Sequence, residues 1–573
     1  MRGPPTRRRS SAGVPTPSAD PSPPRAAPRA LAPLVRSSLG SASLRAGRLA
    51  LALLCVPVFF WGLGRYGVVN ADEAIYHGIA ERMVASGDWL HLDFRGEPRF
   101  YDTFLNAPLH YFARATLIAV AGSNAWTMRI LSALAGAATV LVTASFGARL
   151  AGPRAGLLAG FALLTSFQFV YLHGARTGEL DMLVSLEFLS TAWLFRRAAL
   201  DGRSFWPHYA ALCALFWTKA PLVLVPLAVE LGHFAASRAA RTRLRAYLLT
   251  GLAVLPLAIA WHALELALWW NRAGAVVATF WDQARGARTD GDYLGPAGNA
   301  LFYLRTLAWG FLPWSAALPF ALVAALRDPR LRAWLVWPAA LALFFVLVAK
   351  HYAWYWLPAF PFLAIAIGAW LDELREARAW HLALAAAAVV ATIACVDAPA
   401  RNPFAEMALT YPMQARLRAP AGLPGAAVLA IVAALAGGAA FAVARLGPRA
   451  RALAASAVGV ALLVAAALRV AGPLRELDTR SDVERFHTAL AAARASGRRI
   501  EYPIQVPPGA PVQIARFLFA EDYEIEVRVR PISGTSMWLH PKGDPAVLDR
   551  SIGRLGLEQR LARGGAPPPI EAR

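Results

Sequence analysis

Two adjacent carboxylates, Asp72 and Glu73, stand just after an apolar stretch, "LALALLCVPVFFWGLGRYG", that is long enough to cross a bilayer. Two structural explanations compete with a chemical one. Acids at a helix start complement its macrodipole, and loop acids are often simply solvated. Further polar groups stand at the ends of other apolar stretches. They are Arg176, Glu179 and Asp181 in "LHGARTGELDMLV", Lys219 in "WTKAPLVLVP", Arg285 and Arg288 in "FWDQARGART", and Lys350 with Tyr352 and Tyr355 in "KHYAWYWLPAFP". Each has its own structural explanation: Lys219 and Lys350 as snorkelling cations, Asp181 as a capping acid, the aromatics as an interfacial belt. Together, at one depth, carboxylates and cations can deprotonate an acceptor hydroxyl and hold a phosphate leaving group.

The elements that must position these groups are membrane spans. The chain has 573 residues, of which 57% are hydrophobic and 16% charged, where a soluble chain carries about 25% charge. Its apolar residues fall in blocks of roughly 18 to 25, the length a helix needs to span hydrocarbon. The net charge of +22 comes from arginines clustered between those blocks, which points to membrane orientation and not to nucleic acid. Cys55, Cys213 and Cys395 lie inside apolar blocks and offer neither metal spacing nor a disulfide.

Residues 1–46, rich in Pro, Arg, Ser and Ala, are expected to be a disordered cytoplasmic tail. Thirteen candidate spans follow, near 47–69, 125–147, 155–172, 180–197, 206–219, 221–236, 246–268, 301–325, 333–349, 353–371, 380–396, 424–444 and 452–471. The fifth and sixth are short enough to be re-entrant. Arg149 and Arg154, Arg196, Arg197 and Arg203, Arg238 to Arg245, Arg327 to Arg332, Arg375 and Arg378, and Arg445 to Arg451 all fall in alternate loops, on the side of the N-terminus. The opposite loops, with 70–124 as the first, carry the candidate site. Residues 472–573 alternate in strand fashion around one amphipathic helix, "DVERFHTALAAARASG", and are expected to form a small α/β domain on the outer face. The fold class is therefore a polytopic α-helical membrane protein of about thirteen spans, 47–471, with that small outer domain.

"NADEAIYHGIAERMVASGDWL" resembles the first outer loop of the GT-C glycosyltransferases that use polyprenyl-phosphate sugars, among them the protein O-mannosyltransferases and the bacterial lipid A aminoarabinose transferases. "GARTGELDMLVSLEFLSTAWLF", "WTKAPLVLVP", "GFLPWSAALP" and "AKHYAWYWLPAFPFLAI" are similar to further segments in the same order, over roughly residues 50 to 375. The resemblance implies that Asp72 is the catalytic acid or acceptor-activating residue, with Glu73 its neighbour and Asp181 the second acidic position. It implies Arg288 as a phosphate-binding arginine and Lys219 as the lysine of a "KGP" segment in which Ala220 replaces glycine. Where the aminoarabinose transferases carry "EKPPL", this chain reads "LNAPLHY", so Asn106 replaces the lipid-phosphate lysine and Leu105 the glutamate. The histidine expected before Arg288 is Ala284, with Asp102 and His110 the nearby polar substitutes. That glutamate and histidine accompany a bound metal in some relatives, so the metal ligand positions are not kept.

The expectation is an inner-membrane glycosyltransferase, active site toward the periplasm, moving a sugar from an undecaprenyl-phosphate donor to lipid A, another envelope glycan or a protein by inverting displacement. Catalytic residues are expected at Asp72, Glu73 and Asp181; donor binding is expected at Asn106, Arg176, Lys219, Arg285, Arg288, Lys350, Tyr352 and Tyr355. The alternatives are a transporter or flippase of a lipid-linked precursor, which internal repeats and midplane charges would favour, and a catalytically inactive envelope-assembly partner.

Overall fold

The computed structural model describes residues 38–64, 71–94, 97–98, 105–106, 108–272, 295–315, 317–348 and 352–373, together with short strands further along the chain. Within this part the helices are α1 Ser38–Cys55, α2 Ala71–Ser86, α3 Leu109–Ala121, α4 Ala125–Ala151, α5 Pro153–Leu164, α6 Asp181–Ala199 and α7 Trp206–Phe216. They continue as α8 Leu224–Ala236, α9 Leu244–Leu268, α10 Gly295–Gly310, α11 Leu318–Arg327, α12 Val336–Leu347 and α13 Phe360–Glu373. Four helical segments, Ala125–Ala151, Leu244–Leu268, Pro329–Leu347 and Ala353–Glu373, are long and apolar enough to cross a membrane. On α9, Leu248, Leu249, Leu252, Leu255 and Leu257 are exposed, an outward apolar face suited to lipid. The spans expected at 380–396, 424–444 and 452–471 lie outside the described residues.

The bundle is held by close approach of small residues, as membrane helices without a hydrophobic drive between them require. A Cβ at Gly156 would fall on the carbonyl oxygen of Ala144, and one at Gly368 on that of Ala155, so α4, α5 and α13 approach to backbone contact. A capping box starts α4: Asn124 Oδ1 accepts from the amides of Trp126 and Thr127, and Thr127 Oγ1 accepts from the Asn124 amide. At the far end of α7, Tyr247 OH donates to Glu230 Oε2 at 2.8 Å and His208 Nε2 lies 3.3 Å from the same oxygen, which ties α7, α8 and α9 together.

Two expected spans are broken, and the breaks meet. The span expected at 155–172 is α5 followed by a short helix, Phe167–Tyr171, and the one expected at 301–325 is α10 and α11 separated at 311–317. Pro313 has no N–H to continue α10 and disfavours helical backbone at Leu312. At 165–166 both hydroxyls turn back to carbonyls four residues earlier, Thr165 to Phe161 and Ser166 to Ala162. The two breaks are then joined: the Phe167 amide donates to Leu312 O at 2.9 Å, and between side chains Trp314 Nε1 donates to Thr165 Oγ1 at 3.0 Å.

After the helices, the strands Ile500–Ile504, Gly534–Pro541 and Tyr523–Arg530 form an antiparallel sheet in that order, with Ile500 opposite Leu539 and Tyr523 opposite Pro541. These are the segments whose alternation predicts strands. The helix expected over 482–497 lies outside the described residues.

Candidate active site

α2 begins at Ala71, so Asp72 and Glu73 are both in its first turn, yet their environments differ completely. Asp72 is half-buried. Glu73 is fully buried, 0% exposed, and its carboxylate takes a two-pronged ion pair from equally buried Arg129 of α4, Nε–Oε1 2.7 Å and Nη2–Oε2 3.0 Å. Glu73 Oε1 also accepts from the Gly178 amide at 2.8 Å. Bidentate charge-assisted contacts of this kind are what a buried charge requires. Glu73, expected to be catalytic alongside Asp72, is placed in the core, where its carboxylate fastens the segment 173–180 to the start of α2.

That segment is fastened at every turn. Arg114 Nη2 donates to Gly178 O, and Ser132 Oγ donates to Glu179 O at 2.8 Å. Arg176 is fully buried and donates to Val58 O at 2.8 Å and Trp61 O at 2.6 Å. Arg176, expected as a lipid-phosphate ligand, is placed with its two terminal nitrogens donating to backbone carbonyls at the end of the first span.

The stiffened loop delivers its two ends to one place. His173, at φ +48°, has Nδ1 2.9 Å from Asp181 Oδ2, and Lys219 Nζ donates to Asp181 Oδ1 at 3.2 Å. The His173 ring stacks on Trp354 at 3.6 Å and 5°, and Trp354 in turn stacks on Tyr352 at 4.8 Å and 5°. The Lys219 ammonium sits 4.6 Å above the Tyr355 ring and is 18% exposed. Asp72 is within electrostatic reach of His173 and Tyr355. Burial alone would lower the pKa of His173, which lies in the loop between spans; the negative charges of Glu179, Asp181 and Asp72 outweigh it, and the imidazole is raised above its ordinary value.

Asn106 is half-buried on the chain leading into α3, and the Leu109 amide donates to Trp217 O at 3.0 Å, two residues before Lys219. Asp181, Lys219, Tyr352 and Tyr355 thus meet with His173 and Trp354, with Asp72 within electrostatic reach. Arg285, Arg288 and Lys350 lie outside the described residues. His173 and Trp354 join the site without a sequence signal of their own. Among the described residues no three His, Cys, Asp or Glu side chains converge as metal ligands. Asp181 already faces the ammonium of Lys219, the place a cation would take, so these residues do not fit a metal.

Residues 106–263 match the family of dolichyl-phosphate-mannose-protein mannosyltransferases. ArnT from Cupriavidus metallidurans, solved bound to undecaprenyl phosphate and in the apo state, aligns with TM-scores of 0.56 and 0.53 over 80% of this chain and 81% of that one, at 22% and 21% identity. The chain has the ArnT fold. It is a polytopic helical membrane protein, and the motif resemblance to the GT-C transferases holds in sequence as well as in fold. The undecaprenyl phosphate-α-4-amino-4-deoxy-L-arabinose arabinosyl transferase of Pseudomonas aeruginosa LESB58 is 31% identical over 352 residues, 57% of this chain and 60% of the relative. One of the Pseudomonas fluorescens Pf-5 transferases of the same name is 27% identical over 357 residues, 58% of each chain. The chain spans about three fifths of the length of the curated relatives it matches.

Proposed function

We propose that the chain is a bacterial inner-membrane glycosyltransferase that moves a sugar from an undecaprenyl-phosphate donor to an acceptor on the periplasmic face, lipid A or another envelope glycan or protein. The observation that carries this reading is the partly exposed ammonium of Lys219, paired with Asp181 over the Tyr355 ring, with the half-buried carboxylate of Asp72 within electrostatic reach of His173 and Tyr355. Asp72 takes the proton of the acceptor hydroxyl as its oxygen attacks the anomeric carbon. The bond from that carbon to the phosphate oxygen breaks, its electron pair leaves with the lipid phosphate, and the configuration inverts.

Lys219 has three N–H donors and gives one to Asp181, leaving donors for the departing phosphate. Asp181 orients the ammonium and holds His173 against Trp354. Asn106 supplies a neutral hydrogen bond where related transferases place a lysine, Tyr352 presents a ring face to the sugar, and Tyr355 supports the Lys219 ammonium. Arg285, Arg288 and Lys350 complete the phosphate clamp. Residues 472–573 form a small α/β domain that helps to bind the acceptor. The relatives named as aminoarabinose transferases and the ArnT structure named as holding undecaprenyl phosphate support the donor class.

The test is mass spectrometry of envelope lipids and glycans from cells with and without the protein. A sugar present only with the protein names donor and acceptor together. Identical profiles in every lipid and glycan fraction would overturn the proposal.

A further inference from the structure

α6 carries a second buried acid, Glu187, six residues below Asp181. A carboxyl at this depth is costly and needs a reason. Its Oε1 lies 2.9 Å from Thr218 Oγ1, and its Oε2 meets no polar partner among the described residues. Thr218 is therefore the contact this acid makes, and Thr218 immediately precedes Lys219.

The backbone explains why such a contact is needed. α7 runs back along α6, with His208 Nδ1 near its start 3.2 Å from Thr191 O, and its last turn carries Thr218 to Glu187. After α7 the helix breaks: Lys219 adopts φ −149°, ψ 79°, a short turn Ala220–Val223 follows, and α8 returns. Six residues of α6 separate Glu187 from Asp181, about 9 Å of rise. Thr218 contacts α6 at Glu187 and the next residue, Lys219, contacts it at Asp181. Thr218 Oγ1 also lies 3.0 Å from Ala214 O. The Thr218 hydroxyl proton is thus shared between Glu187 Oε1 and Ala214 O.

We propose that Glu187, through Thr218, is a positioning residue that fixes the depth of the Lys219 turn, and so sets where the ammonium meets the donor's phosphate. The inference rests on the reading of Lys219 given above.

The test uses the purified full chain and undecaprenyl phosphate as the probe, with dissociation constant, KM and kcat for the sugar-linked donor, and melting temperature measured together. Glu187→Leu and the near-isosteric Thr218→Val are each expected to weaken undecaprenyl phosphate binding by a few-fold to about tenfold, the effect of one hydrogen bond. The loss is expected to appear in KM more than in kcat. Glu187→Gln, which keeps a hydrogen-bonding group, is expected to restore affinity. In a Lys219→Met background, Glu187→Leu is expected to add nothing. The inference is overturned if Glu187→Leu and Thr218→Val leave affinity unchanged while Lys219→Met weakens it. It is equally overturned if Glu187→Leu weakens binding as much without the lysine, or if the variants move only the melting temperature. Unchanged affinity in Lys219→Met itself would instead remove the phosphate-binding role of Lys219, and this inference with it.

Discussion

Replacing Arg129 by methionine, close in length and without charge, is the sharpest way to separate a scaffold role for Glu73 from a catalytic one. The carboxylate of Glu73 receives three contacts, from Arg129 Nε at 2.7 Å, Arg129 Nη2 at 3.0 Å and the Gly178 amide at 2.8 Å, with both side chains 0% exposed. The substitution removes the two-pronged ion pair from these contacts. Breaking one side of a buried pair costs about 3–5 kcal/mol, against a total stability of about 5–15 kcal/mol for a typical domain. Arg129→Met should therefore lower the melting temperature sharply and reduce folded yield. Replacing both partners, Glu73→Leu with Arg129→Met, leaves no orphaned charge and should recover much of the loss, a coupling that a double-mutant cycle reads directly. Melting temperature is measured with sugar transfer per folded molecule, and the folded fraction of the double variant should still transfer. Parent-like melting of Arg129→Met would refute the scaffold reasoning. A well-folded double variant with no transfer would return Glu73 to the chemistry.

Gly178→Ala should destabilise the same junction by about 1–3 kcal/mol, since a Cβ there would lie 2.7 Å from Met128 O and 2.8 Å from Glu73 Cγ; a melting curve checks it. His173 makes stability depend on pH. Its folded value is raised above the ordinary 6.5, so its contribution is full below that value and is lost as pH rises through the raised one. Melting temperature should fall over that window in the parent and less steeply in His173→Gln, and parallel curves would count against it.

Much of the scaffold was legible because membrane helices announce themselves by length and composition. The spans at 125–147, 180–197 and 246–268 correspond to α4, α6 and α9 within a few residues. The broken spans were harder, since Pro313, Thr165 and Ser166 sit in apolar runs and their breaks are stabilised by each other, a pairing that no local window contains. Of the site, sequence spacing placed Asp181 and Lys219 at span ends, and the fold joins them. It could not separate Asp72 from Glu73, because one residue along a helix start is the difference between a half-buried position and the core. Arg176 looked available for the same reason; its partners, Val58 O and Trp61 O, are more than a hundred residues away. His173 reaches Asp181 only because the loop between them folds back.

The most direct measurement of the central claim is sugar transfer by Asp72→Asn beside the parent, with folded yield and melting temperature recorded for both. Asn caps a helix about as well as Asp, so a capping role leaves all three quantities near the parent values. The account predicts unchanged folding with transfer reduced by about 10² or more, because the amide cannot accept the acceptor's proton. Transfer near the parent rate would contradict it and leave Asp72 as a helix cap.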